Sequence, residues 1–228
     1  MSKWPFVIRR KSRHLNQTES GLQKVDVTAC AGEINLADLE VIQWAPVWMT
    51  RAERLLLYTL SFTLRPERYL EIGTLQGGSA LLVAATMDAL NTDGRLICVD
   101  PKPQILPEHW QRLATRTLLL EGHSPDILPR ACEMAGGKFD LILIDGDHTY
   151  AGALRDAQGV LPFAAEGAYI LFHDSFFVEV ACAIDDFVLE HAQELVDFGS
   201  LTREYTIAPD FDSVQWGGLR MVQVRRAA

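Results

Sequence analysis

With 228 residues, 48% of them apolar and 22% charged, the chain can build one large globular core without disulfides or a structural metal, which excludes a largely disordered or fibrous protein. Lys and Arg total 21 against 30 Asp and Glu, a net charge of −9; Lys3, Arg9, Arg10, Lys11 and Arg13 lie within residues 1–14, so the remainder carries −14. A body that acidic excludes general affinity for nucleic acid or anionic lipid, and the longest apolar run, Ala80–Ala85, is far too short for a membrane span.

In chain order, residues 1–20 read as a basic arm that is solvated or docks on a partner. Its apolar patch, Trp4 to Ile8, precedes the basic cluster, the reverse of a secretory signal. Residues 21–228 are assigned to one domain. Thr50 and Glu53 stand at capping-box spacing, which predicts a helix from Thr50 that stops before Pro66. A strand at Arg68–Ile72, a glycine turn and a helix over Ala80–Leu90 follow, then a turn at Asn91–Gly94 and a strand at Arg95–Asp100. Next come a helix around Glu108–Thr115, a strand at Leu118–Glu121, and Ser124-Pro125 as N-cap and first residue of a helix.

Phe139–Asp145 is apolar almost throughout, as a central parallel strand should be. A helix over Ala151–Leu161, a strand at Ala168–Phe172 and a helix over Val178–His191 complete the alternation. Such alternation predicts an α/β, doubly wound, Rossmann-like sheet. Leu195–Leu201 and Leu219–Val224 lack a crossover helix between them, so they should pair antiparallel. Function belongs at the carboxyl ends of the parallel strands. The four cysteines, Cys30, Cys98, Cys132 and Cys182, have no Cys-x-x-Cys spacing and sit among apolar residues. They read as buried thiols of a cytoplasmic protein rather than disulfides or zinc ligands.

Two loop clusters carry chemistry. The first strand runs into Glu71-Ile72-Gly73-Thr74-Leu75-Gln76-Gly77-Gly78-Ser79, a turn that opens a helix and lets a ligand approach the backbone. Leu75 stands where a dinucleotide fingerprint has its second glycine, and Glu71 aims a carboxylate where a pyrophosphate would lie. Such a site would repel a pyrophosphate but tolerate a zwitterionic, sulfonium-bearing ligand. Asp100, at the end of the second strand, is placed to accept both hydroxyls of a ribose. The second cluster is Asp145-Gly146-Asp147-His148 with His173-Asp174-Ser175, on neighbouring strand ends. Convergent acids need a counter-charge, which a divalent cation on Asp145 and Asp174 would supply.

With these residues the chain resembles the class I S-adenosylmethionine-dependent methyltransferases over roughly 50–225, and most closely the bacterial small-molecule O-methyltransferases of the cephalosporin, macrolide-sugar and catechol types. The resemblance implies a seven-stranded sheet of order 3-2-1-4-5-7-6, with S-adenosylmethionine as cofactor. The methionine half would lie on Glu71, Gly73, Thr74, Gln76, Gly77 and Ser79, the ribose on Asp100, and the adenine between His123 and Ser124, with Asp145 nearby. It further implies Mg²⁺ on Asp145, Asp174 and Ser175, where the family has Asn instead of the serine. His148 stands where the family has a lysine and is the expected general base, oriented by Asp145 or Asp147. His173, next to Asp174 on extended backbone, is expected to face the opposite side. Apart from the resemblance, Trp44, Trp48 and Met49 precede the first long helix and read either as aromatic core or as lining of an acceptor pocket.

The reaction read from these residues is methyl transfer to a hydroxyl of a small molecule, by a homodimer, with neither nucleic acid nor membrane as partner. Two alternatives stay open at this level. One is a nicotinamide-dependent oxidoreductase, which Leu75 and the absence of a Tyr-x-x-x-Lys pair disfavour. The other is a binding subunit that has lost turnover, which Ser175 and the basic arm favour.

Overall fold

A computed structural model describes residues 36–207 and 214–225. The basic arm and Cys30 lie outside them. A 3-10 turn over Leu36–Leu39 and the short α1 (Val41–Trp44) lead to α2 (Arg51–Leu64). The Thr50–Glu53 capping box opens α2, and Arg65 ends it in a left-handed conformation just before Pro66. The alternating body is β1 (Arg68–Ile72), α3 (Gly78–Ala89), β2 (Arg95–Asp100), α4 (Pro107–Leu113), β3 (Thr117–Glu121), α5 (Leu128–Ala135), β4 (Phe139–Ile144), α6 (Tyr150–Val160), β5 (Ala164–Phe172) and α7 (Val178–Glu190). It closes with β6 (Leu195–Ser200), a ribbon of β7 (Thr206–Ile207) and β8 (Gln215–Trp216), and β9 (Arg220–Val224).

The main sheet has the order β3-β2-β1-β4-β5-β9-β6. Its first five strands in that order are parallel, whereas β9 runs antiparallel to both β5 and β6. This is the expected doubly wound arrangement, with β9 as the seventh strand of the main sheet. Alternate residues of each strand feed two cores. Leu70, Ile72, Ile142 and Ile144 pack beneath α5, α6 and α7, while Tyr69, Leu141 and Leu143 pack with α2 and α3. Helix α3 lies between the sheet and α2 and is buried nearly all round, so it has no polar face to mark its ends.

Four details depart from the sequence reading. Helix α3 starts at Gly78, because Gly77 caps it in the left-handed conformation. Ser124 does not cap a helix: residues 124–127 form a turn, with the Ile127 N–H donating to the His123 carbonyl, and α5 starts at Leu128 with Pro129 in its first turn. Strand β5 begins at Ala164, its pairing with β4 shifting between Phe139 and Leu141. Among the cysteines, Cys98 is buried, Cys132 half-buried and Cys182 exposed on α7, so burial does not hold for all of them.

Candidate active site

A cavity of about 1080 Å³ opens above the carboxyl ends of β1, β2, β4 and β5, where an open α/β sheet places its ligands. Gly73, Leu75, Asp100, His123 and Ser124 line one half of it. Gly73 has φ +86°, and a Cβ there would lie 1.8 Å from the Asp145 carbonyl oxygen, so this turn touches the end of β4 backbone to backbone. Leu75 also adopts the left-handed region, with φ +44°. Asp100 holds it there: one carboxylate oxygen accepts the Leu75 N–H at 2.8 Å and the other accepts the Lys102 N–H at 2.7 Å.

The rest of the glycine turn lies beneath the cavity rather than on its wall. Thr74, Gly77 and Ser79 are buried, Gln76 half-buried, and none of them lines the cavity. Glu71, expected to aim at the ligand, is fully buried and accepts a hydrogen bond from the Tyr69 hydroxyl at 2.8 Å. Burial pushes its carboxyl up to about 7, with the Tyr69 hydroxyl pulling the other way.

The second half holds the acids. Strands β4 and β5 end side by side, Ile144 opposite Phe172, and this register brings Asp145 next to His173 and Asp174. The Nε2 of His148 lies 2.8 Å from Asp174 Oδ2 and 3.5 Å from Asp145 Oδ1. The Nδ1 of His173 lies 3.1 Å from Asp145 Oδ1 and 3.3 Å from Asp174 Oδ2. His173 therefore faces the same carboxylates, contrary to the expectation from strand alternation. The reason is Asp174, whose φ of +53° breaks the extended backbone, and whose Oδ1 accepts the Gly217 N–H at 2.5 Å.

Ser175, the proposed third ligand, is not brought to this cluster. Its hydroxyl lies 3.5 Å from that of Ser200 and its N–H donates to the Gly218 carbonyl. Nor does Asp147 orient the imidazole: it accepts the Thr149 N–H at 2.9 Å and braces the turn into α6. One oxygen each from Asp145 and Asp174 and a nitrogen of His148 lie within 4.8 Å of one another.

Burial alone would discharge both imidazoles, but the carboxylates outweigh it. Asp145 and Asp174 raise His148 to about 9; Asp145, Asp174 and Glu53 hold His173 well above the usual imidazole range. Against the same opposition from burial, the imidazoles press both aspartates below the ordinary carboxylate range.

Several wall residues escaped the sequence reading, Glu53, Trp216 and Ile207 among them. Glu53 is fully buried, accepts the Thr50 and Gly218 N–H groups, and lies 3.4 Å from His173 Nε2. Trp216 stands edge-on to the His148 ring at 5.4 Å and stacks on Phe177 at 4.6 Å. Ile207 joins them from β7. Of the expected aromatic wall, Trp48 and Met49 line the cavity. Trp44 instead stacks on His109 beneath the Arg112 guanidinium.

This sheet, with a glycine turn and an acid at consecutive strand ends, is a doubly wound, Rossmann-like fold that the chain shares with the solved methyltransferases below. Residues 70–175 match a family model described as a methyltransferase domain. A catechol O-methyltransferase of Niastella koreensis is 33% identical over 96 residues, covering 40% of this chain and 42% of that one. The match thus spans less than half of either protein. Among solved structures, the O-methyltransferase of Bacillus cereus in complex with SAH superposes with a TM-score of 0.61 at 19% identity, covering 90% of this chain and 94% of that one. TomG of Streptomyces achromogenes, an O-methyltransferase involved in tomaymycin synthesis in complex with SAM, gives 0.60 at 18% identity, covering 91% and 94%.

Proposed function

We propose that the chain transfers a methyl group from S-adenosylmethionine to a hydroxyl of a small molecule. The observation that carries this reading is that one cavity joins the glycine-turn half, with Asp100, to the acid and imidazole half. Two features of the first half suit the cofactor. Asp100 stands at the end of β2 for the ribose, and Ser124 is buried in the cavity wall next to His123, where the adenine would lie. Glu71, Thr74, Gln76, Gly77 and Ser79 then act by shaping the turn from below.

The other half suits a divalent cation. We assign Asp145 and Asp174 as its protein ligands; their oxygens suit Mg²⁺, and the imidazole nearby makes the set equally fit for Mn²⁺ or Zn²⁺. When bound, the cation would supply Lewis-acid stabilisation of the acceptor's alkoxide. His148 is assigned as the general base, taking the acceptor's proton at its imidazole. In the protein alone His148 is protonated at neutral pH, so it serves as a base only when another cation neutralises the two carboxylates. A cytoplasmic homodimer acting on small molecules completes the proposal; no helix among the described residues is long and apolar enough to cross a membrane.

Calorimetry with S-adenosylhomocysteine and NAD, followed by transfer of labelled methyl from S-adenosylmethionine to hydroxylated compounds, tests the reading. Binding of the first ligand alone, with label recovered on oxygen, is the expected result. NAD binding in its place would overturn it in favour of an oxidoreductase.

A further inference from the structure

The cavity wall constrains the charge of whatever enters it. Six carboxylic side chains line the cavity: Glu53, Asp100, Asp145, Asp147, Asp156 and Asp174. Among the described lining residues the one Lys or Arg is Arg155, and its guanidinium already stands 3.7 Å from Asp147 Oδ2. The imidazoles of His148 and His173 are committed to Asp145, Asp174 and Glu53, and His123 stands with the cofactor half beside Ser124. Much of the remaining outer wall is apolar: Trp48, Met49, Ile207 and Trp216.

A carboxylate or phosphate entering such a cleft gives up its hydration and finds no free Lys or Arg among the described lining residues, while a cation on Asp145 and Asp174 is already balanced by those two carboxylates, which is the costly way to bury a charge. A neutral molecule avoids that cost, and an ammonium group donates charge-assisted hydrogen bonds to the acids. The cofactor, whose sulfonium gives it a net positive charge, suits the same wall. Resting on the transfer reading above, we infer that the acceptor is a hydroxylated molecule with an apolar body and no anionic group. Coenzyme A thioesters, nucleotide sugars and carboxylated acceptors fall outside that class.

The test is methyl transfer from labelled S-adenosylmethionine to a panel of hydroxylated compounds matched in body and differing in charge. It includes 4-methylcatechol, dopamine and 3,4-dihydroxyphenylacetate. The neutral and cationic members should exceed their anionic counterparts in kcat/KM by at least about tenfold. Trp48→Lys, which adds a cation at an exposed position of the rim, should narrow that gap several-fold. An anionic member accepted as well as its neutral counterpart, or a gap indifferent to Trp48→Lys, would overturn the inference. So would S-adenosylhomocysteine binding with no acceptor in any charge group, which would leave the cofactor assignment standing. Failure to bind S-adenosylhomocysteine would instead overturn the transfer reading itself.

Discussion

Asp100 both braces the glycine turn and faces the cavity, so its removal should be felt twice. Asp100→Ala is expected to weaken S-adenosylhomocysteine binding by about 1–3 kcal/mol in calorimetry, since ribose hydroxyls and the Leu75 N–H both lose an acceptor. His148→Ala should lower turnover by roughly 10²–10⁴-fold with cofactor affinity near that of the parent. Near-normal turnover would leave the imidazole a purely structural counter-charge for Asp145 and Asp174. Glu71 predicts a pH effect in the ligand-free protein. Its carboxyl rises from the ordinary 4.5 to about 7 on folding, so its contribution to stability is complete below 4.5 and is lost as pH climbs through 7. Glu71→Gln should therefore match the parent near pH 4.5 and exceed it at pH 8 by on the order of 2–3 kcal/mol in denaturant melts. Equal stability at both pH values would show that Glu71 titrates normally. The identities of the acids at the strand ends were legible because each ends an apolar run. The direction of His173 was not, since it depends on the φ of the residue that follows it.

At the level of elements, the Thr50–Glu53 box marked the start of α2 from sequence, but spacing reveals only the local half of Glu53's work. Its other partners, His173 and Gly218, are 120 and 165 residues away. The two halves separate by mutation. Thr50→Ala should cost about 1 kcal/mol, as loss of a cap does, whereas Glu53→Ala leaves both the buried His173 Nε2 and the Gly218 N–H without their acceptor and should cost roughly 3–5 kcal/mol. Comparable losses from the two variants in urea denaturation would reduce Glu53 to a cap. Strands β1 and β2 occupy the expected residues because a strand covered on both faces reads as a mostly apolar run, interrupted in β1 only by the buried Glu71. The ribbon of β7 and β8 escaped notice because two-residue strands carry no periodicity, and Trp216 went unseen with it.

For the molecule as a whole, the alternation predicts the doubly wound sheet, because right-handed crossovers leave few alternatives, and the strand order that the resemblance implies matches the observed one with β9 as the seventh strand. The cation is a matter of charge balance that sequence alone does not settle, as two imidazoles already neutralise the acids. Exhaustive chelation should abolish methyl transfer, and adding back Mg²⁺ or Mn²⁺ should restore it. Activity that survives chelation would assign the counter-charge to His148 and His173 alone.

The contact of Gly73 with the Asp145 carbonyl limits how relatives of this chain can diverge. The segment that would carry the methyl donor and the segment that would receive the proton abut without an intervening side chain, so neither can drift without dragging the other. Heritable change in acceptor choice is thereby channelled to the rim. Trp48 precedes α2 and Ile207 sits on a short ribbon, where replacement touches neither segment, whereas Trp216 on the same ribbon packs against the His148 ring and is the least free of the three.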